Sequence, residues 1–173
     1  MIQDRNNINI KGKKVVILGI GLSGFAAATL AAYKEANVFI SDQNNSQDMI
    51  NSLEELKVLN IKGELGKHSS QIYEADLWII SPGVSQGSEL IIRAKENNIP
   101  IVSEIEFASW FTEAPIIAIT GSNGKTTTAH IIEKMVQTDE IHGLLAGNVG
   151  IPFSRLVLND LNNPNAKRIW VLE

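Results

Sequence analysis

The sequence contains no cysteine. That excludes a disulfide framework and any thiolate metal site, and it suits a reducing cytoplasm. No apolar run approaches the roughly 20 residues that a helix needs to cross a bilayer. The N-terminal stretch Met1–Asn7 is polar and lacks the apolar core of a secretory signal. Charge of one sign is also scarce. A net charge of −4 gives no strong field toward nucleic acid or an anionic membrane, so neither is expected as a partner. Aromatic residues are few, but 44% of the chain is hydrophobic, the balance of a soluble globular protein. There is no internal repeat and no low-complexity tract beyond Asn-rich loops. The three histidines, His68, His130 and His142, do not gather with carboxylates, so they read as surface or core-edge residues with no metal site of their own.

What is present is an alternation of apolar runs with helix-like stretches. Lys14–Leu18 is β-branched and ends at glycine, which predicts a buried strand. The Ala- and Leu-rich stretch 22–36 predicts a helix, and 37–41 a second strand. Residues 47–59 have helical spacing, 61–65 reads as a short strand, and 76–80 as a strong strand broken by Ser81-Pro-Gly83. A helix over 89–97, a strand over 100–102 and a short helix over 104–111 complete the series. Strands alternating with helices mean parallel βαβ units with helices on both faces. The expected fold class is therefore α/β, a Rossmann-like parallel sheet over residues 1–111. Thr112–Pro115 reads as a linker. At Ile116–Ile119 strand, glycine loop and helix (125–136) begin again, the start of a P-loop-type α/β ATPase domain over residues 112–173. The remaining chain is about a third to a half of an ordinary ~150-residue domain, so the second domain is expected to be truncated and the chain a fragment. No element is assigned between 137 and 166, and His142 is read as a loop residue.

Two glycine loops carry the chemistry. The first, Gly19-Ile-Gly21-Leu-Ser-Gly24, follows a strand and opens a helix, with Asp42 about 20 residues on at the tip of the next strand. Gly19 permits the tight turn, Gly21 lets a phosphate approach the backbone, and Gly24 lets helix and strand pack closely. The free N–H groups and the positive helix end favour an anion, and Asp42 is placed to accept from a sugar hydroxyl. This loop alone would suit NAD, so an NAD(P)-dependent oxidoreductase is the alternative function. Ser81-Pro-Gly83 follows the strand expected beyond the switch point and is a further candidate contact.

The second loop is Thr120-Gly-Ser-Asn-Gly-Lys-Thr126. Lys125 opens a helix, where a cation opposes the dipole unless an anion intervenes. Its ammonium suits phosphate oxygens and the Thr126 hydroxyl suits magnesium. Gly121 and Gly124 let N–H groups turn inward, and Asn123 tolerates the left-handed backbone such a loop needs. The first glycine of the usual phosphate loop is replaced by Ile119.

That shortened pattern resembles the ATP loop of the Mur ligases, the amide-forming enzymes of peptidoglycan precursor synthesis. Folylpolyglutamate synthases carry a similar loop, but without a Rossmann-like domain before it. Gly19-x-Gly-x-Ser-Gly24, Asp42, Ser81-Pro-Gly83 and Gly147-Asn-Val-Gly150 add to the likeness and point to the branch that adds D-glutamate to UDP-N-acetylmuramoyl-L-alanine. Another family member stays open as an alternative, as does a non-catalytic binding module. The resemblance implies an ATP- and magnesium-dependent ligase, cytoplasmic and monomeric, that acts through an acyl phosphate in cell-wall biogenesis and cell division. It implies that Leu22, Ser23, Gly24, Asp42, Gln43, Gly83 and Asn148 contact the UDP substrate. Gly121, Ser122, Asn123, Gly124, Lys125, Thr126 and Thr127 would hold ATP, with Lys125 and Asn148 serving catalysis. Thr126 and Glu173 would face magnesium. D-Glutamate would be bound by a further C-terminal domain, so these 173 residues alone are expected to be inactive.

Overall fold

The computed structural model describes residues 8–85, 87–148, 150–164 and 166–173. The polar stretch 1–7, and Val149 within the Gly147–Gly150 turn, lie outside them. The first half alternates strand and helix: β1 (Lys14–Leu18), α1 (Leu22–Tyr33), β2 (Asn37–Asp42), α2 (Gln47–Leu56), β3 (Lys62–Leu65), β4 (Leu77–Ile80), α3 (Glu89–Glu96), β5 (Ile101–Ser103) and α4 (Glu104–Ser109). The predicted helix ending at 59 closes instead in a short 3-10 turn, which stops where Asn60 turns left-handed. A second 3-10 turn, Ser70–Glu74, leads into β4.

These strands form one parallel sheet in the order β3-β2-β1-β4-β5. β1 and β4 are buried along almost their whole length, as strands covered on both faces must be. The order reverses between β1 and β4, which opens a crevice at their carboxyl ends. Ala26, Ala27, Ala28 and Ala31 make α1 thin enough to be buried on two sides, between the sheet and a later helix.

The second half supplies β6 (Ile116–Ala118), α5 (Lys125–Val136), β7 (Ile141–Ala146), α6 (Phe153–Leu161) and β8 (Lys167–Leu172). They form a second parallel sheet in the order β6-β8-β7. The fold is thus the expected α/β class, a Rossmann-like sheet followed by the strand–loop–helix start of a P-loop-type sheet. Two elements correct the sequence reading. His142 lies within β7, not in a loop, and α6 occupies a stretch left unassigned. Gly143 explains the first. A Cβ there would fall 2.5 Å from the Glu133 carbonyl oxygen, so this glycine marks a close helix–strand contact and not a turn.

The two sheets share one apolar core. α6 packs on α1 and α4, and Ala27, Phe107 and Ala108 join Phe153, Val157 and Trp170 in a single buried cluster. Phe153 meets Trp170 edge-on at 5.4 Å. The linker is tied down as well, since the Trp170 Nε1–H donates to Thr112 Oγ1 at 2.8 Å.

Candidate functional site

The crevice at the end of β1 and β4 is built by backbone. Gly19 has φ +94°, and its N–H donates to the Ser41 carbonyl. The Ser81 N–H donates to the Leu18 carbonyl at 3.0 Å, and its hydroxyl to the Gly19 carbonyl. Asp42 clasps the loop: Oδ2 accepts the Ile20 N–H and Oδ1 the Asn44 N–H, each at 2.8 Å. Gly24 is packing material, because a Cβ on it would lie 1.8 Å from the Gly19 carbonyl oxygen. A Cβ on Gly21, at the entrance to α1, would meet nothing within 4 Å. Here the backbone is open to a ligand.

A cleft of about 410 Å³ results, lined by Gly19, Gly21, Asp42, Gln43, Ser81 and Gly83. Four of the proposed substrate residues fall elsewhere. Ser23 lines a neighbouring cleft of about 270 Å³ with Ser81, Glu104 and Asn148, so this cleft runs between the two sheets. Leu22 is 82% exposed and faces a third cleft, between α1, α2 and α6, with Phe25, Met49 and Arg155. Gly24 is buried and lines none of the three.

The second loop leaves the carboxyl end of β6 and enters α5 at Lys125. Gly124 takes φ +74°, so the left-handed residue is this glycine and not Asn123. Gly121 through Gly124, Thr126 and Thr127 are all exposed. The Lys125 ammonium folds back to donate to the Gly121 carbonyl at 2.9 Å, and a phosphate oxygen would compete with that carbonyl. Because β8 runs between β6 and β7, three strand ends meet here. The Ile119 N–H donates to the Leu172 carbonyl, and the Asn148 N–H to the Glu173 carbonyl at 2.9 Å. Gly147, at φ +109°, must be glycine, since a Cβ would stand 2.3 Å from the Glu173 carbonyl oxygen.

Glu173 Oε2 is buried without a hydrogen-bond partner among the described residues. A buried carboxylate oxygen needs a cation or a donor. The Thr126 hydroxyl, at the start of α5, is a hard oxygen donor of the kind magnesium prefers, and magnesium keeps most of its shell as water and phosphate. The residues present therefore fit the ion. Among the described residues no cluster of three or more His, Asp or Glu forms a separate metal centre.

Two polar groups at the first cleft, His68 and Ser88, escaped the sequence reading. His68 lines it, and its Nδ1 lies 2.7 Å from the buried Ser41 Oγ, which is 2.9 Å from Glu64 Oε1. The Ser88 hydroxyl, at the start of α3, also borders it and is buried without a partner among the described residues. Ser88 precedes a helix, a legible capping signal; the Ser41–His68 approach has none.

Residues 13–103 match the family model for the Mur ligase MurD-like N-terminal domain, and residues 119–169 that for the Mur ligase middle domain. The chain belongs to the MurD-like Mur ligase family. Similar members are the UDP-N-acetylmuramoylalanine–D-glutamate ligases of Christiangramia forsetii, 41% identical over 88% of this chain, and Pelodictyon phaeoclathratiforme, 40% identical over 88%. The chain covers 34% and 33% of those proteins, so it spans about a third of the length of the curated relatives it matches. The Mur ligase fold recurs in solved structures. A pseudomurein peptide ligase type C from Methanothermus fervidus aligns over 93% of this chain and 33% of its own, with TM-score 0.54 and 23% identity. A murein peptide ligase from Psychrobacter arcticus aligns over 93% and 37%, with TM-score 0.54 and 20% identity.

Proposed function

We propose that this chain supplies the substrate-handle site and the phosphate loop of an ATP- and magnesium-dependent ligase. That ligase would join D-glutamate to UDP-N-acetylmuramoyl-L-alanine in peptidoglycan precursor synthesis, in the cytoplasm and as a monomer. The observation that supports the reading is that the glycine loop after β6, which enters α5 at Lys125, leaves the same end of the second sheet as Asn148 and Glu173, which follow β7 and β8, in a MurD-like chain. Residues 1–111 would hold the UDP substrate and 112–173 begin the ATP domain.

A carboxylate does not condense with an amine in water, because its oxygen leaves poorly. Transfer of the γ-phosphoryl group to that carboxylate makes an acyl phosphate, which the amine of D-glutamate attacks; an amide forms, and ADP and phosphate leave. Such a transfer needs charge neutralisation and in-line placement more than a protein nucleophile. Magnesium, when bound, neutralises phosphate charge. The N–H groups of Gly121–Gly124 and the Lys125 ammonium would do the same from the protein side. Ser122, Asn123 and Thr127 would shape the phosphate cradle, while Thr126 and Glu173 hold the ion. Gly21, Ser23, Asp42, Gln43 and Gly83 would grip the uridine diphosphate and Leu22 the adjoining chain, while Gly24 would serve the site by letting α1 pack against the Gly19 turn. Asn148, at the cleft shared by the two sheets, would face the muramoyl-alanine end. Remote binding energy thereby aims the far carboxylate at the phosphate.

Calorimetric titration of the chain with UDP-N-acetylmuramoyl-L-alanine and with NAD tests this. The ligase reading expects binding of the first and no binding of the second, and no amide product from these 173 residues alone. NAD binding without UDP-substrate binding would favour the oxidoreductase that the first glycine loop also suits.

A further inference from the structure

The turn Gly147–Gly150 carries Asn148 and leads into α6. The first turn of any helix has N–H groups with no partner inside the helix. A side chain at the cap position commonly accepts one of them. At α6 that position is Pro152, whose side chain has no acceptor, and no side-chain cap bond forms there. The acceptor comes instead from 50 residues away, where Glu104 Oε1 takes the Ser154 N–H. Glu104 is 4% exposed and Ser154 is fully buried. A buried carboxylate is a costly cap, since it must leave water to reach its donor. A serine or aspartate at the cap position would serve helix stability locally and at less cost.

The distant cap does something a local one could not, because it starts at the first crevice. Glu104 opens α4 directly after β5, and Ser103, the last residue of β5, pairs with Ile80, the last of β4. Ser81, next along, bonds the glycine turn of the crevice. The neighbour of Glu104 reaches the other end of the same segment: a Cβ on Gly147 would stand 3.2 Å from Ile105 Cδ1. Two adjoining residues of the first half thus hold the segment from Gly147 to Ser154, Ile105 at its start and Glu104 at its end. From the second half, the Glu173 carbonyl accepts the Asn148 N–H. Ser23, Ser81, Glu104, Ile105, Gly147 and Asn148 all line the cleft of about 270 Å³ between the sheets.

We propose that Glu104 is a positioning residue for Asn148: by capping α6 from the end of the first sheet, it sets the Gly147–Gly150 turn so that Asn148 meets a substrate held by the first crevice. This rests on the reading above that Asn148 faces the muramoyl-alanine end. The contact needs an acceptor oxygen at the right reach, which Glu104→Gln keeps. Glu104→Ala leaves the Ser154 N–H buried without an acceptor, a loss that a shift of the helix start and its preceding turn relieves. Coupling between two sites is reciprocal. Engagement of Asn148 by substrate must therefore act back on the Glu104–Ser154 bond.

Calorimetry of the chain with UDP and with UDP-N-acetylmuramoyl-L-alanine reads the effect as a ratio of affinities. Wild type should favour the full substrate, and Asn148→Ala should cut that preference about tenfold, the scale of one hydrogen bond lost in a site. Glu104→Ala should cut it by a similar factor with UDP affinity unchanged, and should add nothing in the Asn148→Ala background. Glu104→Gln should restore it. The Ser154 amide resonance of wild type reports the same bond without any variant: it should move with the full substrate and stay in place with UDP. A normal effect of Asn148→Ala with none from Glu104→Ala, or an equal loss of both ligands in Glu104→Ala, overturns the positioning role alone. So does a Glu104→Gln chain as impaired as Glu104→Ala, or a Ser154 resonance indifferent to the full substrate. An unchanged preference in Asn148→Ala, or a wild type that binds neither ligand, overturns the reading of Asn148 and the positioning role with it.

Discussion

Gly21 and Gly24 sit one turn apart on the same helix entrance and are glycine for opposite reasons. Gly24 is glycine because a methyl would drive into the Gly19 carbonyl, a backbone atom that cannot swing aside. Gly24→Ala gains about 1 kcal/mol in helix propensity, but overpacking against backbone costs about 1–3 kcal/mol and distorts the loop. A net loss is expected, seen as a lower urea midpoint. Gly21→Ala has open space around it. As a poorer helix cap it should cost under about 1 kcal/mol, while nucleotide affinity falls because the methyl stands where the ligand approaches. If both variants unfold at the same midpoint, the distinction is wrong. Asp42 shows how a residue can be legible in position and not in task. The sequence marks it as a sugar contact, yet in the fold its two oxygens also fasten the glycine loop through the N–H groups of Ile20 and Asn44.

Among the elements, α6 joins the two sheets. Phe153 is fully buried between α1, α4 and Trp170. Phe153→Ala removes an aromatic from a shared core and should cost about 3–5 kcal/mol, read from denaturant unfolding. A loss under 1 kcal/mol would mean that the seam is not part of the cooperative core. α6 has helical spacing at Phe153, Leu156 and Val157, but the glycine- and asparagine-rich segments on either side hide it. β7 was obscured by Gly143, whose role against Glu133 and Val136 of α5 exists only once helix and strand are packed. By contrast β1, β4 and α5 are legible because each is a run of residues with one periodicity and a clear breaker beside it.

For the molecule as a whole, Glu104 is the buried charge that couples the halves. It is 4% exposed at the start of α4, and its Oε1 accepts the Ser154 N–H at the start of α6. Burial raises its pKa above the ordinary 4.5, against the smaller opposing pull of the Ser154 bonds. Between the ordinary and the raised value the folded chain holds a proton that the unfolded chain has released. This group's contribution is therefore fully present below about pH 4.5 and is lost as pH climbs through the raised value. Glu104→Gln keeps an acceptor for Ser154 but cannot titrate. Lowering the pH from 7 to 5 should thus shift the stability difference in favour of wild type, as compared by urea midpoints of the two proteins. Parallel pH curves would refute it.

The sequence by itself determined the alternation of strands and helices, both glycine loops, and the Thr120–Thr126 pattern that points to Mur ligases. Each is written in a few neighbouring residues, through periodicity, turn chemistry or the need for a missing Cβ. Tertiary structure decided which ends meet. The insertion of β8 between β6 and β7 sets Glu173 and Asn148 at the same sheet end as the second glycine loop. Pairing of β2 with β3 brings Ser41 to Glu64 and to His68, 27 residues away, and the packing of α6 on α4 brings Glu104 to Ser154, 50 residues away. Contacts over such separations depend on strand order and burial, which no local window of side chains encodes, because the same runs would pair equally well in other orders until the shared core selects one.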